Sequence, residues 1–169
     1  ILNHKGNQIG KSIKEENCEK IIEEIFEISK KHSCSITYPI DVLVGKNLNS
    51  VSKIKELNEI DENDLILDIG PKTIKAIKKL IENSETVLWN GPAGYFENPY
   101  FAKGSYEIAK AIIRKNKKKS IYSVVGGGDT IALINRIKAI KDFNFVSTAG
   151  GAFLEYLEGK DLPGIKALS

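Results

Sequence analysis

The sequence predicts an α/β fold built on a parallel sheet flanked by helices, and three observations carry that prediction. Four runs of β-forming residues stop at a glycine, at Gly70, Gly91, Gly126 and Gly150. Each run hands over to a helical pattern, directly or after a loop, and the helical stretches show apolar residues at steps of three and four. Strands spaced by helices imply right-handed crossovers, a parallel sheet, and ligands bound outside the carboxyl ends of the strands. All four glycine turns are therefore expected on one edge of one sheet.

Taken in order, residues 1–12 have no clear period and are punctuated by Gly6 and Gly10. From Glu15 to Lys31, Cys18, Ile21, Ile22, Ile25, Phe26 and Ile28 alternate with Glu and Lys as in an amphipathic helix. Ser35 to Val44 reads as a strand followed by a loop, with Pro39 tolerated only at an edge, an end or a bulge. Residues 45–64 read as a surface excursion with a short helix near Ser52 to Leu57. Leu65 to Gly70 is a strand, Lys72 to Asn83 a helix, and Thr86 to Gly91 another strand. Phe101 to Arg114 is a helix, the Lys115 to Lys119 cluster a solvated loop, and Ser120 to Val125 a strand. Asp129 to Ile140 is a helix, Phe143 to Thr148 a strand and Ala152 to Gly159 a short helix, while Leu162 to Ser169 is too short to classify. Trp89 is expected in the core, and His4 and His32 have no partner pattern.

Composition narrows the class. A chain of 169 residues with 41% apolar and 28% charged residues suits one soluble globular domain. No apolar run approaches the roughly 20 residues of a membrane-spanning helix, and no secretion pattern opens the chain, so the expectation is a cytoplasmic protein. Cys18 and Cys34 lack metal or disulfide spacing and read as reduced packing residues. A net charge of +3 does not argue for nucleic acid, and no aromatic residues interleave with the lysine cluster. The sequence opens Ile1-Leu-Asn-His4 and contains no methionine, so a segment of a longer protein is expected.

The most informative stretch is Ser123-Val-Val-Gly-Gly-Gly-Asp-Thr130. Three residues without Cβ let a ligand approach backbone N–H groups, and the helix that follows adds unpaired donors and a positive dipole end. The pattern matches neither the GxGxxG dinucleotide fingerprint nor the GxxxxGK[ST] loop, which argues against a nicotinamide-dependent oxidoreductase. If Gly126–Gly128 and Ala149–Gly151 both open helices on one edge, their donors converge on a single anion. Asp129 is then either a helix cap or a ligand of Mg²⁺, which commonly joins a carboxylate to phosphate oxygens.

Trp89-Asn-Gly-Pro-Ala-Gly-Tyr-Phe-Glu97, Ser123–Thr130, Ser147-Thr-Ala-Gly-Gly-Ala-Phe-Leu-Glu155 and Leu157-Glu-Gly-Lys-Asp-Leu-Pro-Gly164 resemble successive signatures of phosphoglycerate kinase, in the family's order. With Leu67-Asp-Ile-Gly-Pro71 the resemblance covers nearly the whole chain and corresponds to the C-terminal, nucleotide-binding half of that two-domain kinase. It implies a Rossmann-like three-layer domain over residues 1–169, with the first two strands and the triose-binding domain of the family absent. The implied reaction is reversible phosphoryl transfer from 1,3-bisphosphoglycerate to ADP, giving 3-phosphoglycerate and ATP in glycolysis, with Mg²⁺ accompanying the nucleotide.

By the same resemblance, Gly126, Gly127, Gly128 and Thr130 contact the nucleotide phosphates, Asp129 holds the metal, Glu97 accepts from the ribose hydroxyls and Asn90 lies near the phosphates. Leu67 and Gly70 help form the adenine pocket, and Gly150 and Gly151 present donors to the transferring phosphoryl group. The family's usual Ser-Thr-Gly-Gly-Gly-Ala-Ser is altered here at Ala149 and Phe153. The family's catalytic lysines precede the residue matching Ile1. The segment alone is thus expected to be a monomer that binds adenine nucleotide without turnover, the triose substrates being held by the missing domain. The alternative is a non-catalytic nucleotide-binding or interaction module completed by a second chain.

Overall fold

A computed structural model describes residues 1–168, which fold as two compact units. One comprises Ile1–Ala76 and Ala93–Gly104, the other Ile77–Pro92 and the chain from Ser105 onward.

In the first unit, helix α1 (Glu19–Lys31) buries Ile22 and leaves the start of its expected range, residues 15–18, outside the helix. Three strands follow: β1 (Asp41–Gly45), β2 (Lys53–Glu56) and β3 (Leu65–Ile69). They form a sheet of order β2-β1-β3 in which both pairings are antiparallel. Two expectations are corrected here. The β-run ending at Gly70 does not belong to the parallel sheet, and the region near Ser52 to Leu57 is a strand running into a 3-10 turn at Leu57–Glu59, not a helix. Ile54 and Lys55 face opposite sides of the sheet, exposed and buried, which is the two-residue period of a strand. The strand expected from Ser35 is confined to 41–45, consistent with Pro39 lacking the N–H a ladder needs.

Val42, Val44 and Ile60 form the apolar core of this unit, with Leu57 and Ile66 against it. Beside them Lys46 and Lys55 each pair with Asp61 and Asp64. Hydrogen bonds from Lys55 and then Lys46 hold the Asp61 carboxyl well below the usual carboxylate range. Helix α2 (Pro71–Asn83) starts against the buried Asp41. That carboxylate accepts from Lys72 N at 2.9 Å and from Thr73 N and Oγ1, each at 2.7 Å, satisfying first-turn donors from 31 and 32 residues away in the chain.

The second unit holds β4 (Thr86–Asn90), β5 (Tyr122–Gly126) and β6 (Phe145–Val146) in a parallel sheet of order β4-β5-β6. With α3 (Lys103–Lys117), α4 (Gly128–Arg136), α5 (Gly151–Leu157) and α6 (Pro163–Lys166), it gives the expected α/β architecture of a parallel sheet with helices. Trp89 is buried in the core as expected, its ring 6.4 Å from that of Phe143 between centroids. Strand β6 is shorter than the expected run, although Ser147 N extends the ladder by donating to Val125 O at 2.8 Å.

The lysine cluster is not a wholly solvated loop. Helix α3 continues to Lys117, and Lys115 Nζ donates to the carbonyls of Ile81, Glu82 and Ser84, at 3.3, 2.8 and 2.7 Å. A cation thereby sits at the carbonyl end of α2, where the helix dipole also favours positive charge. Among the described residues no helix is long and apolar enough to cross a membrane, and Cys18 and Cys34 are both free.

Candidate functional site

Parallel pairing places Asn90 opposite Gly126 at the carboxyl ends of β4 and β5. The chain then turns through Gly127, the residue capping α4, whose φ of 84° lies in the region that favours glycine. Gly126 is glycine for a different reason: a Cβ there would lie 2.7 Å from the Phe153 ring and 3.0 Å from Asn90 Oδ1. Gly128 has neither reason. Its φ is not positive, and an added Cβ would meet nothing within 4 Å. The protein's own packing therefore leaves open space above the first residue of α4.

Asp129 follows in the first turn of α4 and is exposed. The cap position belongs to Gly127 and carries no side-chain cap hydrogen bond, so the reading of Asp129 as the cap of its own helix is corrected. Thr130 is fully buried, and its Oγ1 accepts from Gly91 N at 2.7 Å, joining the end of β4 to the first turn of α4. Trp89 Nε1 donates to Gly91 O at 2.8 Å, so both backbone polar groups of Gly91 are held. Asn90, Gly126, Gly127 and Thr130 are thus brought together around one turn, with Gly128 and Asp129 facing solvent.

Gly150 caps α5 with φ 58° and ψ −131°, a backbone conformation suited to glycine. Gly151 is the first residue of the helix, and an added Cβ at either position would meet nothing within 4 Å. Phe153, in the first turn of α5, packs its ring on Gly126, so the two glycine turns touch through that ring. Ala149 is not among the non-glycine residues with positive φ, so its methyl costs the backbone nothing.

Leu67, Gly70 and Glu97 lie in the first unit. Gly70 is buried, donates to Asp41 O at 2.9 Å, and lies so close to the Asp41 carboxylate that a Cβ would come within 2.3 Å of its Cγ. Its lack of a side chain is thus explained by packing. Leu67 O accepts from Tyr95 N at 2.7 Å, which ties β3 to the segment carrying the exposed Glu97.

Sequence reasoning assigned no role to Asp68. Its buried carboxylate accepts from Ile69 N and Gly104 N, each at 2.8 Å. Burial pushes its carboxyl up from the ordinary 3.8 to about 6, against the lowering effect of the Gly104 and Ile69 N–H groups. The signal available in the sequence was an acid inside an otherwise apolar β-run.

The residues present fit Mg²⁺ with a nucleotide better than a metal cage. Among the described residues no group of three or more His, Cys, Asp or Glu side chains could hold a metal ion. Mg²⁺ is commonly held by one or two carboxylates plus phosphate oxygens and water, a role that one exposed carboxylate beside a glycine turn can fill.

Comparisons with known proteins all point to one family. The family model for phosphoglycerate kinase matches residues 1–160. Phosphoglycerate kinases of Zymomonas mobilis and Azorhizobium caulinodans are 42% and 40% identical over 170 residues, covering 99% of this chain. The chain spans 43% of the length of each. Among solved structures, phosphoglycerate kinase from Coxiella burnetii superposes with a TM-score of 0.90 at 38% identity, covering 99% of this chain and 43% of that one. The enzyme from Pyrococcus horikoshii gives 0.71 at 28% identity, with 99% and 42% covered. Matched across almost its whole length in sequence and in fold, the chain belongs to the phosphoglycerate kinase family.

Proposed function

We propose that the chain supplies the Mg-ADP/ATP site of a phosphoglycerate kinase, the parent enzyme transferring a phosphoryl group reversibly between 1,3-bisphosphoglycerate and ADP in cytoplasmic glycolysis. The observation that carries this reading is the turn at Gly126–Asp129. Open space above Gly128, first-turn N–H groups of α4 and an exposed carboxylate at Asp129 follow one another there. Backbone donors and a positive helix end favour phosphate oxygens.

In this reading Gly126, Gly127, Gly128 and Thr130 contact the nucleotide phosphates, with Asn90 beside them, and the Thr130 hydroxyl also fixes the turn. Asp129 would hold Mg²⁺, which when bound supplies charge neutralisation between the carboxylate and the phosphates. Leu67 and Gly70 serve the adenine and Glu97 the ribose hydroxyls. Gly150 and Gly151 would direct N–H groups at the transferring phosphoryl, whose catalysis is mostly positioning and electrostatics. The triose substrate would be held by the family's other domain, and the proposal for these 169 residues on their own is a monomer that binds nucleotide without turnover.

Calorimetric titration with ATP and with NAD, each with and without Mg²⁺, tests the reading. A magnesium-dependent preference for ATP is expected, and equal or magnesium-independent binding of the two would contradict it. For the catalytic part, a coupled assay giving near-normal ATP formation from this chain alone would overturn the claim that it lacks turnover.

A further inference from the structure

The segment from Gly94 to Gly104 rests at both ends on one side chain. At its far end Gly104 N donates to Asp68 Oδ2 at 2.8 Å. At its near end Gly94 lies so close that a Cβ would come within 2.5 Å of Asp68 Oδ1, and a Cβ on Gly104 would come within 2.3 Å of the same oxygen. Both glycines are therefore demanded by the carboxylate. Between them, Tyr95 N donates to Leu67 O at 2.7 Å, Phe96 is buried, and Asn98 Nδ2 donates to Leu48 O at 2.6 Å. Glu97 is the exposed residue between these anchors.

We propose that Asp68 is the positioning residue of the ribose site: by holding Gly104 and backing Gly94 it fixes the segment on which Glu97 presents its carboxylate. The inference rests on the reading of Glu97 as the acceptor of the ribose hydroxyls. Asp68 itself is buried, so its effect on the ribose site is exerted through the segment. Its Oδ1 accepts from Ile69 N at 2.8 Å, so both carboxylate oxygens are committed to backbone donors. An amide in its place can accept through only one oxygen and sets an N–H₂ against the other donor. Asp68→Asn thus keeps the shape while setting an N–H₂ against either Gly104 N or Ile69 N, which loosens the seat of the segment.

The test measures binding of Mg·ATP and Mg·2′,3′-dideoxyATP to the purified chain. The wild type is expected to prefer ATP, and Asp68→Asn to lose that preference, with affinity for ATP down about tenfold and for the dideoxy analogue changed by less than about twofold. A folded Asp68→Asn that keeps the wild-type preference, or that loses both ligands equally, overturns the positioning role. Absence of any preference in the wild type itself instead overturns the reading of Glu97, and the inference with it. Gly94→Ala keeps Asp68 and displaces the same segment, so it provides the test if Asp68→Asn does not fold. It too should lose the preference selectively, and wild-type selectivity in it contradicts the proposal.

Discussion

Gly91 N donates to Thr130 Oγ1 at 2.7 Å, so the end of β4 is fastened to the first turn of α4 by a fully buried hydroxyl. Replacing Thr130 with Val conserves shape and removes the acceptor. Urea unfolding should show a loss of about 1 kcal/mol, the net worth of an ordinary hydrogen bond. A Val variant as stable as wild type would mean that the bond contributes nothing to holding the turn.

Gly126→Ala tests the contact between the two glycine turns. The added methyl must displace the Phe153 ring, at a cost of about 1–3 kcal/mol for overpacking. Phe153→Ala in the same chain should recover part of that loss. A double-mutant cycle with additive effects would show that the ring does not press on the turn.

Asp68 gives the stability a specific pH dependence. Its carboxyl is raised in the folded chain to about 6 from an ordinary 3.8, so the protonated form is the one folding favours. Its contribution is fully present below the unfolded value and is lost as the pH rises through the folded one. Asp68→Asn cannot titrate. The stability of wild type relative to this variant should therefore fall between about pH 4 and pH 6, measured by urea unfolding across that range, and a pH-independent difference would contradict the assignment.

Much of the second unit was legible in the sequence because its signals are local. The runs ending at Gly91 and Gly126 became parallel strands, and the apolar steps of 101–114 became α3. The first unit was less legible. The run before Gly70 carries the same local signature, yet β3 pairs antiparallel with β1, because pairing direction depends on which strand lies alongside and not on the run itself. Residues 45–64 looked irregular since only Lys55 of β2 is buried, leaving a short edge strand with little alternation to detect. The phosphate turn was visible as a glycine run, but the reasons for its glycines differ: backbone conformation at Gly127, ring packing at Gly126, and no internal demand at Gly128. Gly70 looked like its counterpart, and its missing side chain is explained by Asp41, 29 residues earlier, a contact no local pattern reveals.

The role of Lys115 was hidden for the same reason. Its three carbonyl partners lie more than 30 residues away in sequence. Lys115→Met removes those donors while keeping much of the aliphatic stem. Faster amide exchange in the last turn of α2 is expected, with α4 unaffected, and unchanged exchange there would contradict the capping role.

Magnesium-dependent nucleotide binding turns on Asp129. It is exposed in the first turn of α4, and the cap position belongs to Gly127. Asp129→Ala should therefore cost less than about 1 kcal/mol of stability, through the helix dipole alone. Calorimetric titration of ATP into wild type and Asp129→Ala, each with and without Mg²⁺, is the most direct measurement. Magnesium is expected to strengthen ATP binding to the wild type by about tenfold or more and to have little effect on the variant. Equal strengthening by magnesium in both proteins would contradict it.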